Sequence, residues 1–124
     1  MIEYDLDKNN AVLHVRPKAA LRKEDFDQLA QAVDPFIAEQ GALTGLIIET
    51  SGFPGWENFG AMLRHFRFVR DHHRKIKRVA LVTDSPVGEL AEHLASHFVA
   101  AEVRRFRATE GEAAKAWIAE ASRG

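Results

Sequence analysis

The segment Glu49-Thr50-Ser51-Gly52-Phe53-Pro54-Gly55-Trp56-Glu57 concentrates more chemistry than any other stretch of the chain, with two hydroxyls, two acids and an indole. A serine nucleophile there needs a neighbouring base, and by sequence the candidates are Glu49, Glu57 and histidines far along the chain. The Gly-x-Ser-x-Gly pattern of a nucleophile elbow is missing, and so are the glycine-rich phosphate-binding fingerprints. Two readings follow. Thr50 and Ser51 hydrogen-bond local backbone while Trp56 caps the core, or the loop contacts a ligand or is phosphorylated at a hydroxyl.

The histidines offer less. Glu89, His93 and His97 recur every four residues and share one helix face, a spacing that can hold a metal. That face lies opposite the apolar stripe Leu90, Leu94 and Phe98, and Glu before His is not the order of a zinc protease. A solvated polar face is expected. His72 and His73 project about 100 degrees apart, which suits a helix end and its dipole better than a shared ion. With no cysteine in the chain, disulfides, thiolate nucleophiles and thiolate-bound metals are excluded. The expectation is therefore no catalytic residue, no metal and no cofactor: not an enzyme.

The elements that must position these residues read clearly. Ile2, Tyr4 and Leu6 alternate with Glu3, Asp5 and Asp7, the period of a strand with one wet face. Turn formers at Asp7-Lys8-Asn9-Asn10 precede a β-branched run from Ala11 to Arg16, so a hairpin is predicted, closed by Pro17. From Arg22 to Gln40, Phe26, Leu29, Ala30, Val33 and Ile37 mark an amphipathic helix. Pro35 is expected to kink it or to restart it at an Asp34 cap, and Gly41 to end it. Leu43 to Glu49 and Arg78 to Thr83 carry unbroken apolar centres, the mark of strands buried on both faces.

A helix is predicted from Glu57 to His73 and another after Ser85-Pro86, a cap followed by proline at the first helical position. A short strand, Glu102 to Arg107, packs through Val103 and Phe106. Thr109 and Glu112 form a capping box for a last helix with Ala113, Ala114, Trp117, Ile118 and Ala121 inward. The order ββαβαβαβα implies a mostly parallel mixed sheet with an N-terminal antiparallel hairpin and helical cover. Without repeat or linker, residues 1–124 are read as a single α/β domain. Ligands of such sheets sit beyond the carboxyl ends of the strands: here the loop after Glu49, the turn at Asp84-Ser85 and the loop near Ala108.

Charge adds one surface feature. The chain has 17 basic and 18 acidic residues, a net charge of −1. Yet between Arg64 and Arg78 seven basic residues face the single Asp71, leaving an acidic body elsewhere. So local a strip suits an anionic ligand or acidic partner but not nucleic acid, whose binding domains read basic throughout. With Phe66 at the centre of the buried stripe of the Glu57–His73 helix, Phe68 falls roughly 160 degrees away, beside Arg64 and the histidines. An aromatic among arginines on an outer face matches interface hot spots, and substitution there by Asp is expected to leave folding intact. At 124 residues, 46% hydrophobic and 28% charged, the chain is long enough to bury a core. It has no run that would span a membrane. Met1-Ile2-Glu3-Tyr4-Asp5 does not read as a signal peptide, so a cytoplasmic protein is expected.

The element order resembles the STAS, or SpoIIAA-like, domains over nearly the whole chain. The loop with Gly55-Trp56-Glu57, the stretch Phe66-Arg67-Phe68-Val69-Arg70-Asp71-His72, the strand Arg78-Val79-Ala80-Leu81-Val82-Thr83 and the ending Phe106 to Ala116-Trp117-Ile118 look like a bacterial SpoIIAA-like branch. The resemblance implies a regulatory or binding module, as in anti-sigma-factor antagonists, stress-sensing assemblies and cytoplasmic domains of anion transporters. More distantly, the branch resembles CRAL-TRIO lipid carriers. The antagonists carry a phosphorylated hydroxyl in an Asp-Ser-Ser-Gly motif about eight residues beyond an acid ending the third strand. The matching stretch here is Glu57-Asn58-Phe59-Gly60, with Phe59 where the hydroxyl would be. Phenylalanine accepts no phosphate, so this switch is not carried over.

Two functions are expected from these readings. The first is a non-enzymatic interaction module, binding itself as a homodimer or binding a regulatory partner. The second is a carrier or sensor of a small apolar or anionic, lipid-like ligand. Candidate binding residues are Thr50, Ser51, Trp56, Glu57, Arg64, Arg67 and Phe68.

Overall fold

The computed structural model describes residues 2–51, 61, 64, 65, 68, 75–84 and 102–123. Alternating residues make β1 (Ile2–Asp7) and β2 (Val12–Pro17) an antiparallel hairpin, with Tyr4 opposite Val15 and Asp5 opposite His14. Its turn is closed by Asp7, whose carboxylate accepts the backbone N–H groups of Asn9 and Asn10, both at 3.1 Å, and the Asn10 amide at 2.7 Å. Asp side chains close turns in this way. Parallel strands β3 (Leu43–Glu49), β4 (Ile76–Val82) and β5 (Glu102–Phe106) follow, and the sheet order is β1-β2-β3-β4-β5.

Helices cover the two faces separately. Helix α1 (Lys23–Gln40) buries Phe26, Leu29, Val33 and Phe36 against Leu13, Val15, Leu46, Val79 and Leu81. Helix α2 (Gly111–Arg123) closes the other face with Ala114 and Ile118 on Ile47, Ala80, Val82 and Phe106. The predicted double burial of β3 and β4 is thus observed, each strand supplying residues to both cores. No helix among the described residues is long and apolar enough to cross a membrane.

Three local expectations are corrected. Pro35 neither restarts nor ends α1, which runs through it. Gln31, whose carbonyl loses its helical donor to the proline ring, and Pro35 are both exposed, so the lost bond lies on the solvent side of the helix. Gly41 does stop the helix, at φ 92°, its N–H donating to the Ile37 carbonyl at 2.7 Å. Helix α2 opens later than a Thr109 cap requires: the Ala114 N–H donates to the Glu110 carbonyl, and the Glu110 carboxylate accepts the Arg107 N–H at 2.8 Å. Glu112 instead lies 3.7 Å from Lys115 on the helix exterior. Val103 is 41% exposed because β5 is an edge strand, while Phe106 is buried. The expected helix after Ser85-Pro86, with Glu89, His93 and His97, lies outside the described residues. So do Phe59, Phe66, His72 and His73.

Helix α2 sits unusually close to β3. A Cβ added at Gly45 would lie 2.3 Å from Ile118 Cγ2 and 2.8 Å from Cδ1. Ile118 is fully buried and stiff at its branch point, so it has little room to yield. Gly45→Ala is therefore expected to destabilise the domain by about 1–3 kcal/mol in urea unfolding, and by clearly less in an Ile118→Ala background, where the clash is gone.

Candidate functional site

The carboxyl ends of β2, β3 and β4 and the β5–α2 turn converge on an open cleft of about 630 Å³, lined by Arg16, Pro17, Lys18, Glu49, Thr50, Ser51, Val82, Asp84 and Ala108. All three loops that the sequence singled out meet here. Thr50 extends the ladder, its N–H donating to the Val82 carbonyl at 3.2 Å, and the Thr83 N–H reaches the Phe106 carbonyl at 2.9 Å. The Asp84 carboxylate accepts the Ala108 N–H at 2.9 Å and so ties the last loop to β4. Thr50 is half-buried and Ser51 exposed.

Beside the cleft, charges form a ladder across the β1–β2–β3 face. Arg16 donates to Asp5 at 2.6 Å, with Glu3 3.7 Å from its Nε. His14 Nε2 and Glu49 Oε1 are 2.8 Å apart, a hydrogen bond to a carboxylate. The bond from Arg16 holds the Asp5 carboxyl below the usual carboxylate range and raises the Arg16 guanidinium in turn. Asp7 is lowered as well, chiefly by the side-chain bond from Asn10 and next by its backbone N–H. Among the described residues no group of His, Asp or Glu is placed to hold a metal ion.

The sequence candidates fare differently. Thr50 and Ser51 line the cleft; Trp56, Glu57 and Arg67 lie outside the described residues. Arg64 is paired with Asp27 of α1, so its charge serves helix docking. Phe68 belongs to the inner side, a correction to its outward placement. It packs against the α1 core, its ring centroid 6.1 Å from that of Phe26, and His65 stacks on Phe26 at 4.7 Å. Ala61, Arg64, His65 and Phe68 are all helical, and the spacing i, i+3, i+4, i+7 aligns them on one face. Ala61 is fully buried, and this phase brings aromatic rings to Phe26, which apolar periodicity within one helix does not reveal. Conversely, Arg16 and Lys18 escaped the sequence reading as site residues, because only parallel pairing brings the end of β2 beside those of β3 and β4.

Comparison with known proteins bears on the fold. A family model described as SpoIIAA-like matches residues 12–119. The chain belongs to the SpoIIAA-like family. The crystal structure of an uncharacterized protein of the DUF3478 family with a SpoIIAA-like fold, from Shewanella loihica PV-4, is similar at a TM-score of 0.70 and 20% identity, over 95% of this chain and 92% of that one. No curated protein matches the chain. The mixed five-stranded sheet is thus the SpoIIAA-like fold.

Two outcomes follow. Carboxyl NMR titration should place the Asp5 and Asp7 midpoints below about 3.9, and Arg16→Gln should raise that of Asp5 alone. Stability from these depressed carboxyls is present above their unfolded pKa and is lost as pH falls through the lowered folded values. Phe68→Ala should cost about 2 kcal/mol in urea unfolding, and Phe68→Asp should cost more, whereas an outward ring would tolerate both.

Proposed function

We propose that this SpoIIAA-like chain is a non-enzymatic interaction module of regulatory type, acting in the cytoplasm and pairing with a second copy through the carboxyl edge of its sheet. The observation that supports this is the composition of the cleft: Arg16 and Lys18 share it with Glu49 and Asp84. A patch carrying both signs is self-complementary, since a twofold axis can set the cations of one copy against the acids of the other. Lys18 has no ion pair among the described residues and is the cation free to reach across. Arg16, Glu49 and Asp84 already hold protein partners, which favours a recognition surface over a reacting centre. His14 meets Glu49 rather than a hydroxyl. With Phe59 at the position of the family's phospho-acceptor, pairing is not gated by that switch.

Carriage of an apolar molecule is the weaker reading. Such ligands need an enclosed, mostly apolar cavity, and the cleft is open and rich in charges and hydroxyls.

Analytical ultracentrifugation tests the proposal. The parent chain is expected to be a dimer, with Lys18→Glu and Ser51→Arg each weakening association about tenfold or more while circular dichroism stays unchanged. A monomeric parent, or variants that dimerise as well as the parent, would overturn it.

A further inference from the structure

On the sheet face closed by α2, the cover is incomplete. Among the described elements, α2 packs on β3, β4 and β5 and reaches β2 only at Val12, so Glu3, Asp5 and Asp7 of β1 stay exposed on that face. Neighbouring strands lie about 4.8 Å apart, so the two strands beyond α2 leave a lane about one helix wide, helices being roughly 10 Å across. The lane is a groove of about 560 Å³ with half-buried Val12 and His14 on its strand side, above an Ile47 that α2 already buries. Its helical wall is a second stripe of α2, where Ala116 and Ala119 lie on the same side as Glu112 and Lys115. Small residues at that wall let another helix approach to the 8–10 Å interaxial distance of packed helices.

The opposite rim is acidic. Asp5 and Asp7 project from the hairpin, each held below the usual carboxylate range, Asp5 by the bond from Arg16 that pairs its charge and Asp7 by Asn10. Among the described lining residues Lys115 is the one lysine or arginine, 3.7 Å from Glu112 on the same wall, and the His14 ring is bonded to Glu49. The lining therefore remains net negative.

We infer that this groove docks an amphipathic helix of a partner protein whose apolar stripe is flanked by Lys or Arg. The apolar stripe covers Val12 against Ala116 and Ala119 of α2, and the flanking cations face Asp5 and Asp7. Helix-in-groove recognition of this kind takes affinity from the apolar face and orientation from the rim charges. The groove lies outside the carboxyl-edge cleft, so the inference stands or falls independently of self-association there.

The test uses the full chain, isotope-labelled for amide NMR, titrated with a helical Leu/Lys peptide and with a Leu/Glu peptide of equal length. The cationic peptide should bind saturably and shift the amides of Val12, His14, Ala116 and Ala119, while the anionic one should not. Lys115→Glu removes the opposing cation from an exposed position and should tighten binding about threefold to fivefold. Ala116→Arg, also at an exposed helix position, should weaken it at least tenfold by bulk and charge. Raising salt should weaken the parent complex. Equal binding of both peptides, shifts mapping to another surface, or two variants that bind like the parent would each overturn the inference.

Discussion

The close approach of α2 to β3 is the constraint on which the rest depends. Gly45 leaves room for Ile118 to rest directly on the strand, and β3 can then be buried by α1 on one face and by α2 on the other. With the central strand held from both sides, β2 and β4 pair beside it in parallel register. Their carboxyl ends then fall at one edge, and the cleft is a consequence of that register. A side chain at position 45 would lift α2 and loosen Ala80, Val82 and Phe106 with it.

Uneven cover produces the chemistry of the surface. Because α2 is centred on β3, β4 and β5, the hairpin keeps Asp5 exposed and His14 and Arg16 half-buried on its second face. They pair across strands, at distances where charge-assisted bonds are strong. The same ladder separates two recesses of different character, one of mixed sign at the carboxyl edge and one acidic along α2.

Most of the fold was legible in the sequence. Period-two alternation marked β1, unbroken apolar cores marked β3 and β4, and Gly41 marked the end of α1, because each signal is local. The misreadings arose where a distant contact decided the outcome. Pro35 is tolerated inside α1 on its exposed side, where Gln31, the residue whose carbonyl it deprives, is exposed too. Phe68 turns inward because Phe26, more than forty residues earlier, offers it and His65 a ring to pack on. The site was half legible: Thr50 and Ser51 follow a parallel strand, a general rule for such sheets, whereas Arg16 and Lys18 join them only through pairing across strands.

Native mass spectrometry of freshly purified protein tests most directly whether this domain recognises protein rather than carries a small molecule, since it reads subunit number and retained mass together. A species at twice the 13.9 kDa chain mass, with nothing further bound, is the predicted result. An extra mass of a few hundred daltons on each chain would contradict the account and make the domain a carrier.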